Sequence, residues 1–148
     1  MKDTTDILLN AVHAKLNGNV SYSSENVPFY DEKKKIRDRD ALYCLYSTQQ
    51  EVPGELTQGF FINDSFLDIE ICHKTGSEVS KSVLSNVANQ IYQILFPEQD
   101  AVSLTSPSGF QIVEFDFIRS ITRVFEISTT ESILRKIITV KAKIVEQQ

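Results

Sequence analysis

The C-terminal third constrains the fold most. Residues 110–128 and 132–145 read as two long strands, with a bend near Arg119-Ser120 and a turn at Thr129-Thr130-Glu131. In the second, Leu134, Ile138, Val140, Ala142 and Ile144 share one face, while Arg135, Thr139, Lys141 and Lys143 share the other. Side chains alternate across a strand, so such a hairpin must lay one face on a core and turn the other outward. A sheet with one apolar face needs a cover, and two helical patterns supply it.

The stronger helical pattern opens at Gly76-Ser77-Glu78 and ends before Pro97. Val79, Val83, Leu84, Val87, Ala88, Ile91, Ile94 and Leu95 recur at spacings of three and four, an amphipathic stripe. The other runs from a Thr4 or Thr5 cap to about Asn17, with Ile7, Leu8, Ala11, Val12 and Leu16 on one side. Asn17-Gly18-Asn19 stops it. Residues 20–22 read as a short strand, and Val27-Pro28-Phe29-Tyr30 as extended chain.

Between the helices, residues 41–48 form a strand apolar on both faces and therefore central. Residues 49–59, with Pro53, Gly54 and Gly59, read as a loop. Residues 59–62 and 65–73 read as strands joined by a turn at Asn63-Asp64. In the second of these, Leu67, Ile69 and Ile71 alternate with Asp68, Glu70 and Cys72, which predicts a half-buried strand. Residues 98–109 read as a further loop. The order α-β-β-β-α-β-β predicts an α+β fold: a mostly antiparallel β-sheet with two helices packed on one face. A chain of 148 residues without a dividing linker is expected to form one domain.

Residues 31–40 hold nine charged side chains in ten, of nearly cancelling sign. This is a solvated loop, and Lys33, Lys34, Lys35, Arg37 and Arg39 are candidate contacts to another subunit. Arg135, Lys141 and Lys143 make a basic stripe on the last strand, which Arg119 and Arg123 extend. The plain reading is a solvated sheet face; the sharper one is a subunit interface or a channel lining.

The net charge of −5 disfavours general nucleic-acid binding. No apolar run approaches the roughly 18 residues of a membrane helix, and the polar start does not read as a signal peptide. Gly-rich phosphate loops, Gly-x-Ser-x-Gly and His-Glu-x-x-His are absent from the sequence. Cys44 and Cys72 lie far apart and read as reduced, buried thiols. Cys72 and His73 point to opposite faces of a strand, so they cannot form a dyad; an approach of Cys44 to His13 is not legible. No paired ligands stand at the short spacing zinc requires, so no metal, cofactor or catalytic residue is expected.

Asp68 and Glu70 share one strand face, as do the Mg²⁺-holding carboxylates of some nucleases. Such sites carry Lys two residues after the Glu; here that place is Cys72, and Lys74 lies one step further. Glu114 and Asp116 repeat the spacing, which favours simple alternation.

The whole pattern resembles the tail-terminator (tail-completion, minor tail protein U-like) family of tailed bacteriophages, including related neck ring proteins. The resemblance rests on a short helix over 7–16, Pro28-Phe29-Tyr30, and the aromatic strand Ala41-Leu42-Tyr43-Cys44-Leu45-Tyr46. It continues through Leu67-Asp68-Ile69-Glu70-Ile71 leading to the helix over 79–95, and a closing hairpin whose last strand alternates. The charged 31–40 insertion and the long final strands depart from shorter members.

The resemblance implies a non-enzymatic virion protein of the neck, present in host cytoplasm during assembly. It implies a homo-oligomeric ring, a hexamer or larger, terminating or connecting the tail tube. The expected partners are other copies of the chain, the adjacent connector or portal-side proteins, and the tail-tube proteins. Genomic DNA would only pass through the lumen, and no membrane is involved. Two other classes remain: an α+β interaction adaptor, and a metal-dependent nuclease using Asp68 and Glu70.

Overall fold

The computed structural model describes residues 3–31, 41–57, 60–75, 81–98, 102–126 and 131–147. Helix α1 (Thr5–Leu16) turns Leu8, Leu9, Ala11, Val12 and Leu16 inward. The Thr4 side chain makes no cap bond; the sheet holds the N-terminus, and the Asp3 carboxylate accepts from the Thr5 N–H at 2.9 Å. The Thr4 hydroxyl lies 2.7 Å from that of Ser65, and the Thr4 N–H donates to Glu51 at 3.2 Å. Gly18, at φ +79°, takes the left-handed turn after the helix.

A small antiparallel hairpin follows, β1 (Ser21–Tyr22) and β2 (Glu25–Asn26). Both turn residues, Ser23 and Ser24, have positive φ, the conformation of a two-residue hairpin usually served by Asn-Gly. Helix α2 (Ser82–Leu95) steadies it: the Gln90 amide accepts from the Ser21 N–H at 3.0 Å and donates to its carbonyl at 2.7 Å.

The main sheet comprises β3 (Phe29–Tyr30), β4 (Leu42–Thr57), β5 (Phe60–Thr75), β6 (Phe110–Glu126) and β7 (Ser132–Gln147). Its order is β3-β4-β5-β7-β6, antiparallel except for the two-residue β3–β4 pairing. Both helices lie on one face, so the α+β expectation holds. Val12 and Leu16 of α1, and Val87 and Ile91 of α2, share one buried core with Ile69, Ile71, Ile138 and Val140 of the sheet. β-Branched residues weaken a helix slightly, but burying each contributes roughly 1.5–3 kcal/mol, so packing outweighs propensity in α2.

Several expectations need correction. Residues 49–57 are not a loop: β4 runs on through Pro53 and Gly54 to Thr57. A register irregularity between Pro53 and Leu56 accommodates the proline, and a Cβ on Gly54 would stand 2.8 Å from the Ile62 carbonyl oxygen. There is no turn at Asn63-Asp64. β5 is continuous there because both neighbours pair with it: Asn63 stands opposite Pro53 and Ile144, and Asp64 opposite Val52 and Lys143. β5 is not simply half-buried either, since Glu70 and Cys72 on its outer face are buried. β4 is flanked on both sides only at Cys44–Leu45, so it is central only there among the described residues.

The bend expected near Arg119-Ser120 coincides with a bulge. β6 carries one extra residue between Ile112 and Glu114 and another between Phe117 and Arg119, namely Val113 and Ile118. The helix opening at residues 76–80, the charged segment at 32–40 and most of the 129–131 turn lie outside the described residues.

Candidate functional site

The helix-free face of the sheet gathers the charged side chains. Register lines them up in rungs across β5, β7 and β6. Asp64, Lys143 and Glu114 form one, then Phe66, Lys141 and Asp116, then Asp68, Thr139 and Arg119. Cys72, Arg135 and Arg123 form the rung at the other end.

The predicted basic stripe of Arg135, Lys141 and Lys143 is therefore no bare cationic strip. Arg135 pairs with Glu70 at 3.0 Å, Lys141 with Asp64 at 3.6 Å and Lys143 with Glu114 at 3.4 Å. Strand pairing, invisible in one strand's sequence, brings a carboxylate to each cation. Arg119 and Arg123 lie exposed on β6, at its boundary with solvent. Lys33, Lys34, Lys35, Arg37 and Arg39 lie outside the described residues.

Asp68 and Glu70 share the face but do not converge on a common point. Asp68 accepts from the Thr139 hydroxyl at 2.6 Å, while Glu70 holds the Arg135 guanidinium. The Glu70 carboxylate is thus already occupied by a side-chain cation. No group of three or more His, Cys, Asp or Glu residues suited to a metal occurs among the described residues.

The Glu70–Arg135 pair anchors a second small core on this outer face. Tyr43, Leu45 and Cys72 are buried there, with Tyr30 packed against them. The Arg135 guanidinium lies 4.9 Å from the Phe125 ring, within cation–π range. Burial, then the nearby Glu70 carboxylate, pushes the Cys72 thiol up to about 12. Burial pushes the Tyr43 hydroxyl up to about 12 as well. Cys44 lies on the helix face, fully buried, with its thiol also pushed up.

Both thiols are thus held protonated and shielded. In a maleimide or disulfide-exchange assay at pH 8, neither should react in the native protein, and both should react once it is unfolded. Rapid native labelling of either would contradict the burial described. His13 does not approach Cys44; its Nδ1 lies 3.0 Å from the Tyr46 hydroxyl. His73 lies on the face opposite Cys72, its Nδ1 buried without a hydrogen bond, and desolvation lowers its pKa.

The residues that sequence reading missed lie on β6. Phe117 and Ile118 are each 45% exposed, Val124 and Phe125 each 42%, and Val113 37%. Phe117 stands edge-on to Tyr92 of α2 at 5.5 Å, beside a stacked Phe96–Phe115 pair at 4.8 Å. A signal existed: Ile112-Val113, Phe117-Ile118 and Val124-Phe125 are adjacent apolar pairs that break the alternation. Two of the three pairs coincide with the bulges.

β6 is an outermost strand, and among the described residues nothing pairs with its far side. β4 is likewise uncovered beyond Leu45. Among the described residues the sheet therefore ends on β6 and on the part of β4 beyond Leu45. No helix among the described residues is long and apolar enough to cross a membrane.

No family model and no curated protein matches this chain. A solved structure described as the virion of a native gene transfer agent particle does contain a similar chain. The two superpose with a TM-score of 0.71, over 97% of this chain and 98% of that one, at 14% identity. A chain of that virion shares this fold. The correspondence extends over nearly the full length of both chains and so includes the long hairpins as well as the helices.

Proposed function

We propose that this protein is a structural component of a phage-like virion. It forms a ring at the head–tail junction that terminates or connects the tail tube. The observation that carries the reading is the end-to-end fold correspondence with a chain of a virion particle. The open edges of β4 and β6 support it, because assembly covers edges that would otherwise invite aggregation. The outer face supports it too. The carboxylates of Glu70, Asp64, Glu114 and Asp68 are engaged by Arg135, Lys141, Lys143 and Thr139, an arrangement that suits a polar lining rather than catalysis.

In this reading the partners are copies of the chain, a connector on the portal side and the tail-tube proteins. DNA passes through the lumen without being held, in keeping with a net charge of −5. Head-to-tail contacts close only where the rotation between subunits closes, so one stoichiometry is expected rather than a series. Light scattering over a concentration series tests this. The expected result is a shift from one copy to a single larger mass that does not grow further. A strict monomer at every concentration, alone and with tail tubes, would overturn it.

A further inference from the structure

We infer that the outer edge of β6 pairs, antiparallel, with the uncovered half of β4 of a second copy. This rests on the ring reading and specifies the contact that builds the ring. Three features of the sheet lead to it.

The first is level. Val52 stands opposite Asp64, Asp64 opposite Lys143, and Lys143 opposite Glu114. The uncovered part of β4 and the N-terminal half of β6 are thus at the same height on opposite sides of the sheet. The second is polarity. β4, β5, β7 and β6 alternate in direction, so a second copy placed alongside in the same orientation presents its β4 antiparallel to β6. The helices stay on one side and the charged face on the other.

The third is closure. A two-fold pairing of β6 with itself also satisfies charge, bringing Glu114 toward Arg123, but it leaves both β4 edges open. Head-to-tail pairing covers the uncovered half of β4 and the level half of β6 in every copy at once. It also places exposed Val52 beside exposed Val113, and the Gln50 amide beside the Asp116 carboxylate. At about 4.8 Å per strand, six copies of this four-stranded stretch close a backbone circle roughly 37 Å across before strand tilt widens it. The charged face, with its paired lysines and carboxylates, then lines an open lumen.

Engineered cysteines test the contact in the full chain. Val52→Cys with Glu114→Cys, and Gln50→Cys with Asp116→Cys, probe the level register. Gln50→Cys with Glu114→Cys probes a two-residue stagger, which keeps the same face. Within one subunit these positions are three strand spacings apart, about 14 Å, beyond the reach of a disulfide. Native Cys44 and Cys72 are buried and stay in place.

Under mild oxidation at least one pair should give a ladder of covalent oligomers ending at the ring's own mass, and each single variant should give none. Dimers from Ile118→Cys alone, without a ladder from any pair, would establish two-fold β6 pairing and overturn the proposal. Rings seen by microscopy with no cross-link from any pair would overturn it while leaving the ring reading intact. Neither rings nor ladders would remove both.

Discussion

Replacing Ile118 by lysine is expected to abolish ring assembly and leave the subunit folded. Ile118 is the extra residue of the second bulge in β6 and is 45% exposed. It contributes little to the core, so the change should cost no more than about 0.5 kcal/mol. At the edge its effect is larger. A charged side chain on an open strand is the device natural sheets use to block pairing, because association would have to desolvate it. Light scattering should show one copy at concentrations where the parent chain is fully assembled. The melting temperature of the unassembled subunit should stay within about 2 °C of the parent's. Unchanged assembly would mean that this edge is not the contact.

Arg135→Ala is expected to be the most damaging single change on the charged face, and to act on the fold. Its guanidinium lies 3.0 Å from Glu70, whose side chain is only 5% exposed. Truncation would leave Glu70 with the weak Cys72 thiol donor at 3.8 Å and lose the packing on Phe125. Breaking a buried pair typically costs 3–5 kcal/mol. Arg135 itself is 28% exposed, so water can reach the site and the lower end, about 3 kcal/mol, is expected. For a chain of this size that is a fall of roughly 6–12 °C in melting temperature. The double change Glu70→Leu with Arg135→Met should recover most of it, because an apolar pair of similar volume carries no desolvation penalty. A double variant as unstable as Arg135→Ala would show that packing on Phe125, not the uncompensated carboxylate, dominates.

Much of the fold was legible from periodicity. Leu134, Ile138, Val140, Ala142 and Ile144 alternate with only Lys136 breaking the run, and the structure buries all five. Val83, Leu84, Val87, Ile91 and Leu95 fix α2 in the same way. Turn chemistry misled where tertiary pairing was stronger. Asn63-Asp64 and Pro53-Gly54 are turn-forming dipeptides, yet both lie inside strands. β5 pairs on both sides, with β4 and with the sequence-distant β7, and β4 pairs with β5 on past Pro53, and this outweighs local preference.

The site was less legible for a related reason. Arg135, Lys141 and Lys143 were visible as a stripe, but Glu70, Asp64 and Glu114 reach them only through strand register. The exposed apolar residues of β6 were visible only as faults in an alternating pattern, and a fault becomes a feature once the strand is known to lie at an edge.

Electron microscopy of the heaviest species in solution tests the central claim most directly. Class averages should show a closed ring with a central hole and one rotational symmetry. Compact two-copy particles, or open filaments that never close, would contradict it.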